Sequence, residues 1–153
     1  MDDKFDLFAS FELSDTIVES LDKNMSNIFS NHLYGLCLLF IHANEKKNNK
    51  IYQKDLEKEF SIKSSTASDI LNYLEKENYI VRTTSCNDSR YKELSLTNKA
   101  NRMIVDIKKI INKTVMTLTK DISEEDKKTF FKVIDKIIEN GKKEENYGKH
   151  FKV

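Results

Sequence analysis

Proline is absent from all 153 residues, and glycine occurs only at Gly35, Gly141 and Gly148. These are the strongest punctuators of local structure. A chain almost without them is committed to long helices joined by few tight turns. The apolar spacing agrees. Ile17, Leu21, Met25 and Ile28 recur at steps of four or three, and Phe5, Phe8 and Phe11 extend the stripe toward the N-terminus, predicting a helix over about 5–29. Residues 33–43 are apolar on nearly every side, which predicts a buried helix with Asn31 as its N-cap. The polar stretch 44–50 reads as a loop and Ile51-Tyr52 as a very short strand.

A two-turn helix is expected over 53–60, with Leu56 and Phe60 inward, followed by a turn over 61–64. The next helix starts in Ser64-Ser65-Thr66, whose side-chain oxygens suit capping, and runs to about Glu77 with Ala67, Ile70, Leu71 and Leu74 as its inner stripe. Asn78, tolerant of the left-handed conformation, stands at its end. Then the pattern turns β-rich. Residues 79–84 and 91–96 read as two strands, and the polar cluster 85–90 between them reads as the turn of a hairpin.

From Thr97 a long helix is expected, lined on one side by Ile104, Ile107, Ile111, Val115, Leu118 and Ile122. Ser123 to Asp126 resembles a capping box opening a last helix that buries Phe130, Phe131, Ile134, Ile137 and Ile138 and stops near Gly141, with a frayed tail over 142–153. No repeat or linker divides the chain, so one domain is expected. The fold class is mostly α with a small β-hairpin, an α+β arrangement.

Composition excludes several functions. No run approaches the roughly 18 apolar residues of a membrane span, and the acidic start Met1-Asp2-Asp3-Lys4-Phe5 does not read as a secretory leader. A cytoplasmic protein without a membrane partner is expected. Two cysteines, Cys37 and Cys86, make neither a disulfide framework nor a zinc site, and His32, His42 and His150 are scattered. No Ser/His/Asp set, phosphate-cradling glycine loop or ligand cluster is visible, so neither an enzyme nor a cofactor is expected. Net charge is only +1 but uneven. Residues 2–22 hold seven acids and one lysine, whereas residues 46–63 hold six lysines against three acids. Local charge governs attraction to phosphate more than the total does, although solvated helix faces produce such runs too.

The order short helix, tight turn, helix, hairpin carries the functional reading. A helix-turn-helix sets its second helix in the DNA major groove, and a hairpin wing reaches the flanking backbone or minor groove. At ~100° per residue, the face opposite Ala67, Ile70, Leu71 and Leu74 carries Ser65, Asp69, Asn72 and Lys76, flanked by Thr66, Ser68 and Tyr73. Asn pairs with adenine at two points and Asp accepts from the cytosine amino group. Ser and Thr suit phosphates, and Ser64 and Lys63 stand where the helix N-terminus would meet the backbone. A polar outer face is also what any amphipathic surface helix displays.

The stretch QKDLEKEFSIKSSTASDILNYLEKENYIVRTTSCNDSRYKELSLT, residues 53–97, resembles the MarR family of bacterial regulators, in particular its multidrug- and efflux-type members. The match rests on Asp88-Ser89-Arg90 in the wing, Leu96-Thr97 after it, and Leu74-Glu75-Lys76 with Tyr79-Ile80 before it. The resemblance implies a homodimer. Helices from about 5–31 and 98–141 would form its base, and winged helix-turn-helix lobes, about 33–97, would hang below. It implies that Arg90 enters the minor groove, oriented by Asp88, with Lys92 nearby on the wing, and that the dimer reads a roughly palindromic operator in double-stranded DNA. It further implies repression relieved by a small aromatic ligand, for which Phe8, Phe11, Tyr34 and Phe40 are the candidate lining residues. The sequence departs from the family at Asp69, where a basic residue is frequent, at Glu57, where a small one is usual, and at Ser61 and Asn78, where glycine is common. A winged-helix module that binds protein rather than DNA, and a redox sensor using Cys37 or Cys86, are the alternatives.

Overall fold

The computed structural model describes residues 7–150, and side chains as far as 144. The chain forms two compact units that meet in sequence between Leu118 and Thr119. The first holds α1 (Leu7–Met25), α2 (His32–Glu45), α3 (Gln53–Glu59), α4 (Ser64–Lys76), β1 (Ile80–Thr84), β2 (Lys92–Leu96) and α5 (Asn98–Leu118). The second holds α6 (Glu124–His150).

The core of the first unit is built around α2, whose Gly35, Cys37, Leu38 and Ile41 are buried. The start of α2 is satisfied twice. Asn31 Oδ1 accepts from the Leu33 N–H at 2.8 Å, as the sequence predicts, and Asp22 Oδ1 of α1 accepts from the His32 N–H at 2.7 Å. The same Asp22 oxygen lies 2.8 Å from His32 Nδ1. Burial raises the Asp22 carboxyl, but the hydrogen bonds and charge of His32 outweigh it and leave it below its ordinary value. Gly35 admits a close approach: a Cβ there would stand 2.5 Å from Met25 Sδ, and the buried Met25 side chain would have to move. Met25 and Phe29, at the end of α1 and just beyond it, therefore sit fully against α2.

The buried stripe of α4 is Ala67, Ile70, Leu71 and Leu74, as the periodicity predicts. Its N-terminus differs. The helix starts at Ser64, the N-cap is Lys63, and no side chain caps it. Instead Gln53 Nε2, from the first turn of α3, donates to Ser64 O and Oγ at 3.2 and 3.3 Å. Ser64 thus fixes α3 against α4 rather than capping the helix. The hairpin pairs antiparallel from Ile80↔Leu96 to Thr84↔Lys92, and Ile51 adds a single bridge to Leu94. The Leu96 N–H donates to Glu45 of α2. Thr97 then closes the hairpin: its Oγ1 donates to Asn78 O at 2.7 Å and accepts from the Ala100 N–H in the first turn of α5.

Ser61 and Asn78 both adopt the left-handed conformation, with φ of 50° and 59°. This explains why glycine suits both places. Asn bears that conformation better than Ser. Ser61→Gly is therefore expected to stabilise the protein by about 0.5–1 kcal/mol, read from urea denaturation midpoints, with a smaller change for Asn78→Gly. A midpoint lowered by Ser61→Gly would contradict this.

On α5, Ala100, Ile104, Ile107 and Thr114 are buried. The expected stripe slips after Ile111: Thr114 faces inward, whereas Val115 is exposed and Ile122 lies beyond the helix end. Asn24 Nδ2 of α1 donates to Thr114 Oγ1, which donates to Ile110 O, so this polar pair is satisfied where it is buried.

The terminal helices depart most from expectation. Phe5 lies outside the described residues, and Phe8 and Phe11 are 84% and 65% exposed. In the second unit Ser123 Oγ accepts from the Asp126 N–H, one half of the expected capping box. Phe130, Phe131, Ile137 and Ile138 are exposed rather than buried, and Ile134 is half-buried. Among the described residues α6 is the one helix of its unit, so its apolar face has no neighbour there. Nor does it end at Gly141; helix continues to His150, glycine inside a helix costing only about 1 kcal/mol.

Candidate nucleic-acid interface

Four elements converge around the start of α4 and the wing. A cleft of about 380 Å³ opens between them, lined by Tyr52, Gln53 and Lys54 of the α3 start, Ser64 of α4, and Arg82, Arg90, Tyr91 and Lys92 of the hairpin. Glu57 is the sole acid on its wall against Lys54, Arg82, Arg90 and Lys92. Two of these four cations are answered by carboxylates off the wall, Arg82 by Glu75 and Arg90 by Asp88, so the cleft is modestly basic.

The outward face of α4 is as polar as the angular reading predicts. Ser65, Thr66, Asp69, Asn72 and Lys76 are exposed, and Ser68 is half-buried. Ser64 and Lys63 are exposed at its start. Tyr73 behaves differently. Its ring stacks on Tyr34 of α2 with centroids 4.1 Å apart and planes 18° from parallel, and burial raises its phenol. It thus ties α4 to α2.

At the wing tip Asp88 and Arg90 are joined as a unit. Asp88 accepts from the Arg90 backbone N–H at 3.0 Å, from Nε at 3.0 and 3.2 Å, and from Nη2 at 2.7 Å. Those bonds to Arg90 hold the Asp88 carboxyl below the ordinary carboxylate range. The Arg90 side chain nevertheless remains 81% exposed. Its other neighbour is the Tyr91 ring, 5.9 Å from Cζ, which also carries Lys54 Nζ at 5.1 Å on its face. Lys92 is exposed where β2 begins. A planar cation held at the tip of a hairpin is the geometry required to enter a narrow, electronegative groove.

Arg82 lines the same cleft and was not singled out from the sequence. From β1 it donates Nε and Nη2 to the two Glu75 oxygens at 3.0 and 2.9 Å, and Nη2 also to Asn72 Oδ1 at 2.9 Å. Arg82 holds the Glu75 carboxyl below its ordinary value, against the opposing effect of burial. The pair locks the wing to the helix beside it. The signal was present, an acid on the last turn of a helix and a cation on the next strand, but the seven-residue separation has no fixed geometry until the turn at Asn78 is known.

The four aromatics expected to line a ligand space have these surroundings in the single chain. Phe8 and Phe11 are exposed on α1, Tyr34 is stacked on Tyr73, and Phe40 meets Phe60 edge to face at 6.0 Å. None lines the cleft. Cys37 is buried, which pushes its thiol up to about 12, whereas Cys86 is exposed on the wing. Among the described residues no group of three or more His, Cys, Asp or Glu is placed to hold a metal ion, and no helix is long and apolar enough to cross a membrane.

Comparison with known proteins bears on this arrangement. Residues 32–90, from the start of α2 to the wing arginine, match the model of the MarR family. The HTH-type transcriptional regulator BilQ of Clostridioides difficile (strain CD3) is 29% identical over 98 residues, 64% of this chain; the chain spans 65% of that relative's length. Among solved structures, the S. aureus MepR–DNA complex superposes with a TM-score of 0.78 over 90% of this chain and 99% of that one, at 21% identity. The transcription regulator MarR from Oenococcus oeni PSU-1 is 30% identical, covering 86% of this chain and 94% of that one, with a TM-score of 0.58. The helix-turn-helix with its wing, the family model laid over it, and a 30% identical regulator matched over nearly its whole length agree: the chain belongs to the MarR family.

Proposed function

We propose that this protein is a homodimeric, sequence-specific DNA-binding transcriptional regulator, a repressor released by a small aromatic ligand. It works in the cytoplasm by binding rather than by catalysis. One observation carries the reading: the carboxylate-gripped, exposed Arg90 projects from a hairpin locked to a helix whose outer face is short and polar. In this reading α4 enters the major groove with Ser65, Thr66, Ser68, Asp69 and Asn72. Arg90, set by Asp88, enters the adjacent minor groove, and Lys63, Ser64 and Lys92 meet phosphates. Tyr73 serves by holding α4 against α2.

The homodimer is supported by apolar surface on the terminal helices. Leu7, Phe8 and Phe11 on α1, and Phe130, Phe131 and Ile138 on α6, are all more than two-fifths exposed. Exposed patches of this kind mark interaction sites. Two lobes related by a two-fold axis would read half-sites about 10 base pairs apart. The aromatic ligand is the family's usual effector, with Phe8, Phe11, Tyr34 and Phe40 as the candidate rings to line its space.

Fluorescence anisotropy with DNA from upstream of the protein's own gene, against a scrambled competitor at two salt concentrations, tests the reading. Salt-sensitive preference for the native fragment at two chains per site is expected. Failure to prefer any promoter fragment from the genome would favour a winged-helix module that binds protein. In the same assay Lys63→Ala should weaken binding to all sequences alike and reduce the salt slope by about one. A changed sequence preference would show that Lys63 reads bases.

A further inference from the structure

Asn72 stands in the middle of the outward face of α4, and its carboxamide is not free to choose its orientation. Arg82 Nη2 lies 2.9 Å from Oδ1. A guanidinium has donors only, so the atom facing it must be the oxygen, and the amide cannot flip. Arg82 is itself fixed by both oxygens of Glu75 and has a fifth of its side chain exposed, so it does not swing away into water. The Nδ2 amino group is therefore the end of Asn72 freest to meet DNA.

The usual adenine contact of asparagine needs both ends of the amide: Nδ2 donates to N7 and Oδ1 accepts from the N6 amino group. Oδ1 keeps a second lone pair, but an adenine amino group using it would lie beside the guanidinium, donor against donor, with its partly positive hydrogens near the cation. Guanine sets no such conflict, because O6 and N7 are both acceptors and an amino group with two hydrogens serves either.

We propose that Arg82 is a specificity-determining positioning residue: by holding one lone pair of Asn72 Oδ1 it weakens the two-point adenine contact and leaves the amino group foremost, so at the position Asn72 faces this regulator prefers a G·C pair, whose guanine offers that amino group two adjacent acceptors, over the A·T pair an unheld asparagine would take. Arg82 makes no base contact in this role. The proposal rests on the DNA-binding reading above and adds to it the base chosen at one position and the residue that sets the choice.

The test is selection from a randomised duplex DNA library with the full chain, followed by sequencing of the bound fraction. Asn72→Ala identifies the position: it should erase the preference at one pair per half-site. In the wild type that pair should be G·C. In Glu75→Met/Arg82→Met, which removes the clamp without changing net charge or leaving an unpaired carboxylate, the ratio of G·C to A·T there should fall by about fivefold or more, other positions being unchanged. Arg82→Met alone should shift it the same way, and thermal melts establish that both variants fold. An A·T pair at that position in the wild type, no position lost in Asn72→Ala, or an unaltered ratio in folded clamp variants would each overturn the proposal while leaving DNA binding intact. No enriched motif with the wild type would take down the DNA-binding reading itself, and this one with it.

Discussion

Replacing Leu74 by alanine is expected to destabilise the first unit by about 2–5 kcal/mol, the range for leucine truncations that leave a cavity in a packed core. Leu74 is fully buried on α4, in the same cluster as Leu38 and Ile41 of α2, Leu56 of α3 and Ile80 of β1. Few of these neighbours can collapse into the space. α4 is pinned at both ends, by Gln53 at Ser64 and by Arg82 at Glu75, and Tyr34 holds its flank through Tyr73. Domains are commonly stable by only about 5–15 kcal/mol, so a loss of that size removes a large part of the margin. Urea denaturation followed by circular dichroism measures it. A loss below about 1 kcal/mol would mean that α4 is packed more loosely than its burial indicates.

The second large effect concerns Arg90. Arg90→Ala should weaken DNA binding by at least about 1 kcal/mol per lobe, as expected for loss of a charge-assisted contact, and the effect should double at a site occupied by two lobes. Fold stability should hardly change, because the Arg90 partners are Asp88 and the Tyr91 ring, all on the exposed wing. Anisotropy titration together with a thermal melt separates the two. Unchanged affinity in a folded variant would remove Arg90 from the interface. Asp88→Asn should have a smaller effect in the same direction, since it leaves the guanidinium present and loosens its aim.

The helix-turn-helix and wing were legible because their signals are local. Ala67, Ile70, Leu71 and Leu74 fall on one helical stripe whatever lies elsewhere, and the polar run from Ser85 to Arg90 breaks two β-rich segments wherever they are placed. What the sequence hid depends on distant partners. Ser64 looks like a cap until Gln53 is brought beside it, eleven residues away. Thr114 looks like a polar interruption of an apolar stripe until Asn24 arrives from α1. Phe130 and Phe131 look like core residues because an apolar stripe has the same period whether it covers the interior of one chain or meets a second chain. The Arg82 link to Asn72 was out of reach for the same reason: which strand residue stands over which helix residue is set by the turn at Asn78 and the hairpin register.

A single residue, Thr97, separates the end of β2 at Leu96 from the start of α5 at Asn98. Its hydroxyl grips Asn78 O just past α4 while its other hydrogen-bonding capacity closes the first turn of α5. The hairpin, α4 and α5 thus share one hinge pin with no slack chain between them. Tilting the first turn of α5 must drag the root of the wing and the far end of α4 along with it. A tilt of α5 that reaches its first turn is therefore passed to the wing and to α4 together.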